Sequence, residues 1–292
     1  MLTRNLDEYK VTTTKQAITS FAGLPLLLGM ARSLGLEEQL NALPIKRRER
    51  GYKPAEPALA LMGLLQSGGK ALDDMSILRG DEGLHALLGA VPAANTLGEY
   101  LRRYSGTGVY RLGRIQLGTA VKVIKGCKIK SVTLDADAFF LESQKSDVEM
   151  NYEGLWGYNP VAVTCAELKM PMAGLFRRGS ASPMANLAGL LKRVMAALPG
   201  IAIRFRSDSA GYQAEVMRVC REAKSDFTIT ARHDDGVMET IRAIPAKEWS
   251  PYETTAWPNA YSGEAEGRLG LKARGCSVHA EAPRSAATLS CW

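Results

Sequence analysis

The sequence predicts an α/β fold: a mixed sheet with flanking helices, preceded by an all-helical N-terminal domain. Three observations predict it. Apolar residues recur at three- and four-residue spacing from 15 to about 105, the period of helices that bury one face. After Lys130 the pattern changes to short apolar runs bounded by turns, the mark of strands. From about residue 182, helical and strand patterns alternate, as parallel crossovers require.

In the first region Ile18, Phe21, Leu24, Leu27 and Leu28 give way to Leu34, Leu36 and Leu40, with Gly and Pro punctuating. Pro54 and Pro57 precede a helix carrying Leu59, Leu61, Met62, Leu64 and Leu65. Leu72, Met75, Ile77 and Leu78, then Leu84, Leu87 and Leu88, continue the pattern. Pro92 interrupts the chain, and Thr96 with Glu99 has the spacing of a capping box. Short helices joined by tight turns permit a helix-turn-helix, although bundles with no DNA partner share that pattern. This domain is set at 1–105, with a basic connecting segment at 106–130.

Strands are expected at 132–141, 160–168 and 173–177. Ser182 and Pro183 offer an N-cap with Pro at the first helical position. The helix then runs through Leu187, Leu190, Leu191, Val194 and Leu198 to stop at Pro199-Gly200. A strand (201–206), a helix (211–224) and a strand (226–230) follow. Strand, strand, strand, helix, strand, helix, strand is the order of an RNase H-like core, placed at 131–246. Beyond about Trp249 apolar periodicity is lost and Ala, Gly, Ser, Pro and Arg dominate. Residues 247–292 are therefore expected to be an atypical tail with the composition of unstructured segments.

The 292 residues are 46% hydrophobic and 23% charged, which excludes disorder as the main state. No apolar run approaches the roughly 18 residues of a spanning helix, and no signal peptide is visible. The five cysteines (Cys127, Cys165, Cys220, Cys276, Cys291) never form a CxxC pair. That suits a reducing cytoplasm and argues against a disulfide framework or structural zinc.

The net charge of +7 is concentrated. Between Tyr100 and Lys130 stand Arg102, Arg103, Arg111, Arg114, Lys122, Lys125, Lys128 and Lys130, with no acidic residue. The remaining 261 residues hold 29 basic and 30 acidic ones, so the whole excess lies in that stretch. A smaller knot stands at Lys46, Arg47, Arg48 and Arg50. Concentrated cation is the footprint of a polyanion-binding surface, because each neutralised phosphate releases counterions. A solvated helix face beside an acidic segment is the competing explanation. Membrane binding lacks its broad apolar opposite face.

In the first strand Asp135 and Asp137 are two residues apart, which puts both on one face. Two like charges in a mainly apolar strand are costly unless a cation compensates. Asp208 sits where the fourth strand gives way to a helix, and ligands collect at the carboxyl ends of parallel strands. If the first and fourth strands are neighbours, Asp208 faces the pair. Oxygen-only clusters suit Mg²⁺ or Mn²⁺. The competing roles are a strand-end carboxylate paired with a Lys for Asp135, and a helix N-cap for Asp208. Tyr152, Trp156 and Tyr158 could stack on exposed bases or pack a hairpin turn onto the sheet. Arg177 and Arg178, with Arg204 and Arg206, are phosphate-contact candidates or ordinary surface arginines. His85, His233 and His279 have no metal-ligand spacing.

From about Thr14 to Ile244 the sequence resembles the DDE transposases of bacterial insertion sequences, most closely the insertion-sequence 1380 group. The resemblance is carried by RGYKPAEPALALMGLLQSGGKALDDMSILRGD, TLDADAFFLES, NYEGLWGYNPVAVTCAE, FRRGSASPMAN and RFRSDSAGYQAEV, in that order. It implies an RNase H-like catalytic core in which two aspartates and one glutamate hold two divalent metals. It further implies in-line phosphoryl transfer: water cuts at the element's ends, and the freed 3′-hydroxyl attacks target DNA. By position the first aspartate is Asp137, with Asp135 competing because Asp137-Ala138-Phe139 lacks the polar residues of the family's step; the second is Asp208. The implied partners are double-stranded DNA, at element ends and target, and a second copy of the chain, with no membrane, in a bacterial cytoplasm near the nucleoid. The family's glutamate stands on a helix well downstream. Here Glu253, Glu264, Glu266 and Glu281 follow Asp208 with no convincing amphipathic helix around them. The expectation is a chain truncated or frame-shifted before the third ligand, or a tail in which Glu264 or Glu266 replaces it. Whether the chain is an active enzyme or a DNA-binding remnant is left open by the residues.

Overall fold

The computed structural model describes residues 15–45, 51–88, 91–231, 234–245 and 247, and the backbone of 250–254, 257–264, 276–280 and 287–291. The chain forms two compact units, Met1–Ile115 and Gln116–Trp292. Among the described residues no helix is long and apolar enough to cross a membrane.

The first unit is helical. α1 (Gly23–Ser33) turns Leu24, Leu28 and Ala31 inward, positions that share one face of a helix. Gly35, at a left-handed φ of 71°, makes the turn into α2 (Leu36–Asn41). α3 (Ala55–Gln66) carries Pro57 in its first turn, where no intrahelical bond is lost. A 3₁₀ turn at Leu72–Asp74 leads to α4 (Met75–Arg79), α5 (Glu82–Leu88) and α6 (Ala94–Leu101). The expected cap at Thr96 does not form. Ala93, extended after Pro92, starts the helix earlier by accepting from the Leu97 N–H, and Glu99 pairs with Arg103 at 3.5 Å. Two small clusters form the unit's core, one around Leu28, Leu40 and Tyr100, the other around Leu24, Met75 and Leu97.

The segment expected to be a basic connection is a single 21-residue helix, α7 (Gly106–Gly126), within which the division between the units falls.

The second unit is built on a sheet. β1 (Ser131–Ala138) pairs antiparallel with β5 (Val161–Cys165), and β5 antiparallel with β6 (Met170–Leu175). On its other side β1 pairs parallel with β7 (Ala202–Ser207), and β7 parallel with β8 (Asp226–Thr230). The order β6-β5-β1-β7-β8, with those directions, is RNase H-like. Between β1 and β5 the chain forms a separate three-stranded sheet from β2 (Leu141–Glu142), β3 (Glu149–Met150) and β4 (Trp156–Tyr158). The first strand therefore ends at Ala138 instead of 141.

Burial alternates along β1: Val132, Leu134 and Ala136 are buried, while Thr133, Asp135 and Asp137 face away. The buried face packs with α8 (Leu187–Ala196), through Leu187, Leu190, Leu191 and Val194, and with α9 (Ala214–Glu222), through Val216 and Cys220. α10 (Asp235–Ala243) adds Val237, and α7 adds Ala120 and Ile124. Phe205 on β7 is completely buried in this cluster. Phe205→Ala is expected to cost about 3–5 kcal/mol, read as a lower midpoint in urea unfolding.

α8 starts at Leu187, after Asn186 in a left-handed turn (φ 64°), and not at the Ser182-Pro183 step. Ser182, Pro183 and Ala185 instead turn their carbonyls toward Arg177. Within 247–292 lie β9 (Ser250–Thr254), β10 (Trp257–Glu264), β11 (Cys276–Ala280) and β12 (Ala287–Cys291). They extend the sheet past β8 in the order β12-β11-β10-β9, all antiparallel. Composition averaged over the whole segment conceals five-residue runs such as Cys276–Ala280, whose partners lie in neighbouring strands.

Candidate active site

The pairing of β1 with β7 runs from Ser131 and Ala202 to Ala136 and Ser207. Asp137 and Asp208 are each the next residue, so they stand level at the carboxyl ends of adjacent parallel strands, which lie about 4.8 Å apart. Both are exposed. One oxygen of Asp208 accepts from the Ala210 N–H at 3.1 Å and caps the 3₁₀ turn Ser209–Gly211. The capping role read from sequence is thus present, and it fixes the carboxylate at the strand end.

Asp135 is engaged differently. Its register partner on β7 is Arg206, whose Nε and Nη2 donate to its two oxygens at 2.7 and 2.8 Å. The compensating cation is an arginine of the next strand and not a lysine of the basic stretch. Both Asp135 oxygens are spent on this fork, whereas Asp137 makes no such pair. The structure thus brings Asp137 and Asp208 together and gives Asp135 to Arg206.

Two carboxylates at one strand-end level form a hard, oxygen-only donor set, which fits Mg²⁺ or Mn²⁺. Among the described residues no group of three or more His, Cys, Asp or Glu is disposed to hold a metal ion. Glu264 ends β10, and Glu266, Glu281, His233 and Lys46–Arg50 lie outside the described residues, as do the side chains of Glu253 and Glu264.

On α7, Arg111, Arg114, Lys122 and Lys125 follow spacings of three, eight and three residues. At 100° per residue they fall within a stripe of about 80°, and all four are exposed. The apolar positions Leu117, Ala120, Val121 and Ile124 lie on a different part of the same helix, turned to the core. Arg102, Lys128 and Lys130 are exposed beyond the helix ends, and Arg103 is tied to Glu99.

Arg177 and Arg178 are committed elsewhere. The Arg177 guanidinium donates to the carbonyls of Asn159, Ser182 and Ala185 at 2.9 Å each and to that of Pro183. It thereby organises the loop that leads into α8, and burial lowers its pKa. Arg178 pairs with Glu149 at 2.8 Å, and that pair raises its pKa. Arg177→Lys, which cannot reproduce the fork, is expected to cost about 1–3 kcal/mol and to speed amide exchange at 181–187, read by hydrogen-exchange mass spectrometry. Sequence reasoning missed this role because a guanidinium facing carbonyls leaves no periodic trace. A signal did exist in the turn-rich Ser-Ala-Ser-Pro run after Arg177, whose carbonyls need donors.

Of the aromatics, Tyr152 is 85% and Trp156 57% exposed, so neither packs into the core. The Tyr158 hydroxyl donates to Asp147 at 2.6 Å, which is the main cause of the lowered Asp147 pKa.

The sheet is of the RNase H-like class, with an aspartate at the carboxyl end of each of the adjacent parallel strands β1 and β7. Within that class the chain belongs to the family Transposase DDE domain group 1, which matches residues 5–267. No curated protein matches the chain. Solved structures similar to it include the following three. One is the cryo-EM structure of the piggyBac transposase synaptic complex with hairpin DNA, at 14% identity and a TM-score of 0.42, covering 94% of this chain and 61% of that one. The second is the Mos1 mariner paired-end complex with Mn, at 10% and 0.25, covering 73% and 68%. The third is the Drosophila P element transposase strand transfer complex, at 13% and 0.23, covering 62% and 46%. The chain thus spans about three fifths of the piggyBac transposase chain it matches.

Proposed function

We propose that the chain is a transposase of the insertion-sequence 1380 kind, which cuts DNA at the ends of its element and joins them to target DNA. One observation carries the reading: Asp137 and Asp208 stand level at the ends of adjacent parallel strands, in a chain of this family. These two carboxylates would hold Mg²⁺ or Mn²⁺. Such an ion, when bound, stabilises charge on the scissile phosphate and lowers the pKa of an attacking oxygen. The rest is the work of the chain itself. The Asp208 cap and the β1–β7 ladder fix where the two carboxylates stand. The Asp135–Arg206 fork cancels one negative charge two residues from Asp137, so the site does not accumulate a third uncompensated carboxylate. The α7 stripe extends over about 21 Å and offers four cations to the phosphates of a DNA duplex, with Arg102, Lys128 and Lys130 beyond it. The third carboxylate of the family's site is assigned to no residue here.

The test is strand cleavage of a labelled duplex carrying an element end, with the full chain, in Mg²⁺ or Mn²⁺ and again in EDTA. Metal-dependent nicking at the end is the expected result. Binding without cleavage in either metal would overturn the enzyme reading in favour of a DNA-binding remnant that regulates a complete copy.

A further inference from the structure

The three-stranded sheet inserted between β1 and β5 shows an apolar face to solvent. Alternation along β4 puts Trp156 and Tyr158 on the same side, and cross-strand pairing sets Met150 beside Trp156 and Leu141 beside Tyr158. Trp156 is 57%, Met150 50% and Leu141 41% exposed. Phe176, 68% exposed, lies against the Tyr158 ring with centroids 4.7 Å apart. Single exposed apolar residues are ordinary, but a contiguous set on one surface marks a binding site.

The face is also held rigid from behind. A Cβ on Gly157 would collide with the Leu141 carbonyl, and one on Gly179 with the carbonyls of Glu149 and Gly157, so the backbones meet with no room for side chains. Arg178 and Ser180 both hold Glu149, and Tyr158 is tied to Asp147. A platform fixed in this way loses little freedom when something settles on it.

We propose that this face binds unpaired nucleobases of the DNA on which the chain acts, with Trp156 and Phe176 stacking against the base rings. The inference rests on the DNA-processing reading above. The face begins at Leu141, only four residues after Asp137 on the same run of chain. Its chemistry is that of flat rings, which meet base faces only after the bases have left the duplex stack.

Oligothymidylate is the probe, measured by fluorescence anisotropy with the full chain in EDTA, beside a labelled duplex of equal length. Trp156→Leu keeps the surface apolar and is expected to weaken oligothymidylate binding about tenfold, leaving duplex binding unchanged. Phe176→Leu, on a different strand connection, is expected to give the same split. Unchanged oligothymidylate binding in both variants would overturn the proposal. A Trp156→Glu variant that turns a dimer into a monomer in sedimentation, with oligothymidylate binding intact, would also overturn it and give the face to a second copy. Because the assay contains no metal and no cleavage, its failure is distinct from failure of the transposase reading.

Discussion

Asp208→Ala and Asp137→Ala are each expected to lower metal-dependent strand cleavage by about 10³-fold or more, with duplex binding left intact. Asp135→Asn is expected to retain most cleavage. The difference follows from geometry. Asp137 and Asp208 occupy the level at which two parallel strands end together, and removing either leaves a single carboxylate for a divalent cation. Asp135 already gives both oxygens to Arg206. Its loss frees a guanidinium that is half exposed, and such pairs are worth no more than about 1 kcal/mol in stability. Single-turnover cleavage across the three variants, beside their thermal melts, checks this ordering. Loss of cleavage in Asp135→Asn with retention in Asp137→Ala would reverse the assignment of the first aspartate.

The second large effect concerns salt. Replacing Arg111, Arg114, Lys122 and Lys125 together by Ala is expected to reduce the slope of log affinity against log salt by about 3–4, near 0.9 for each phosphate that no longer meets a cation. The same four substitutions should weaken specific and nonspecific duplexes alike, since cations on phosphates carry no sequence information. Equilibrium titrations at several potassium chloride concentrations provide the slope. A slope unchanged by the quadruple variant would place the DNA-binding surface elsewhere than on α7.

Much of the fold was legible because its signals are local. The five core strands and the two helices between them each carry their own apolar run, and their order alone specified the RNase H-like arrangement. Boundaries failed where a partner decides them. The strand from 132 was expected to reach 141, because Phe139, Phe140 and Leu141 continue the apolar run; Leu141 instead pairs with Tyr158 in the smaller sheet. The helix expected from Ser182-Pro183 begins later because Arg177 captures the carbonyls of 182, 183 and 185. At the site, spacing put Asp135 and Asp137 on one face of a strand, and strand order set Asp208 at the end of its neighbour. What sets Asp135 apart from Asp137 is Arg206, which lies 71 residues from Asp135 in the chain and opposite it only in the parallel register. No window of sequence contains that pair. The basic stretch was recognised as charge, but its stripe emerged only once α7 was known to be one continuous helix.

The alternation on β1 and β7 has a consequence for how such a protein can change over generations. Val132, Leu134, Ala136 and Phe205 hold the unit together from one side of the sheet, while Asp135, Asp137, Arg204 and Arg206 stand on the other. Substitutions in the second set scarcely touch the first. The chemistry of the exposed side is therefore free to be lost, restored or redirected while the scaffold persists, so a copy that has ceased to cut DNA can still fold as well as one that cuts.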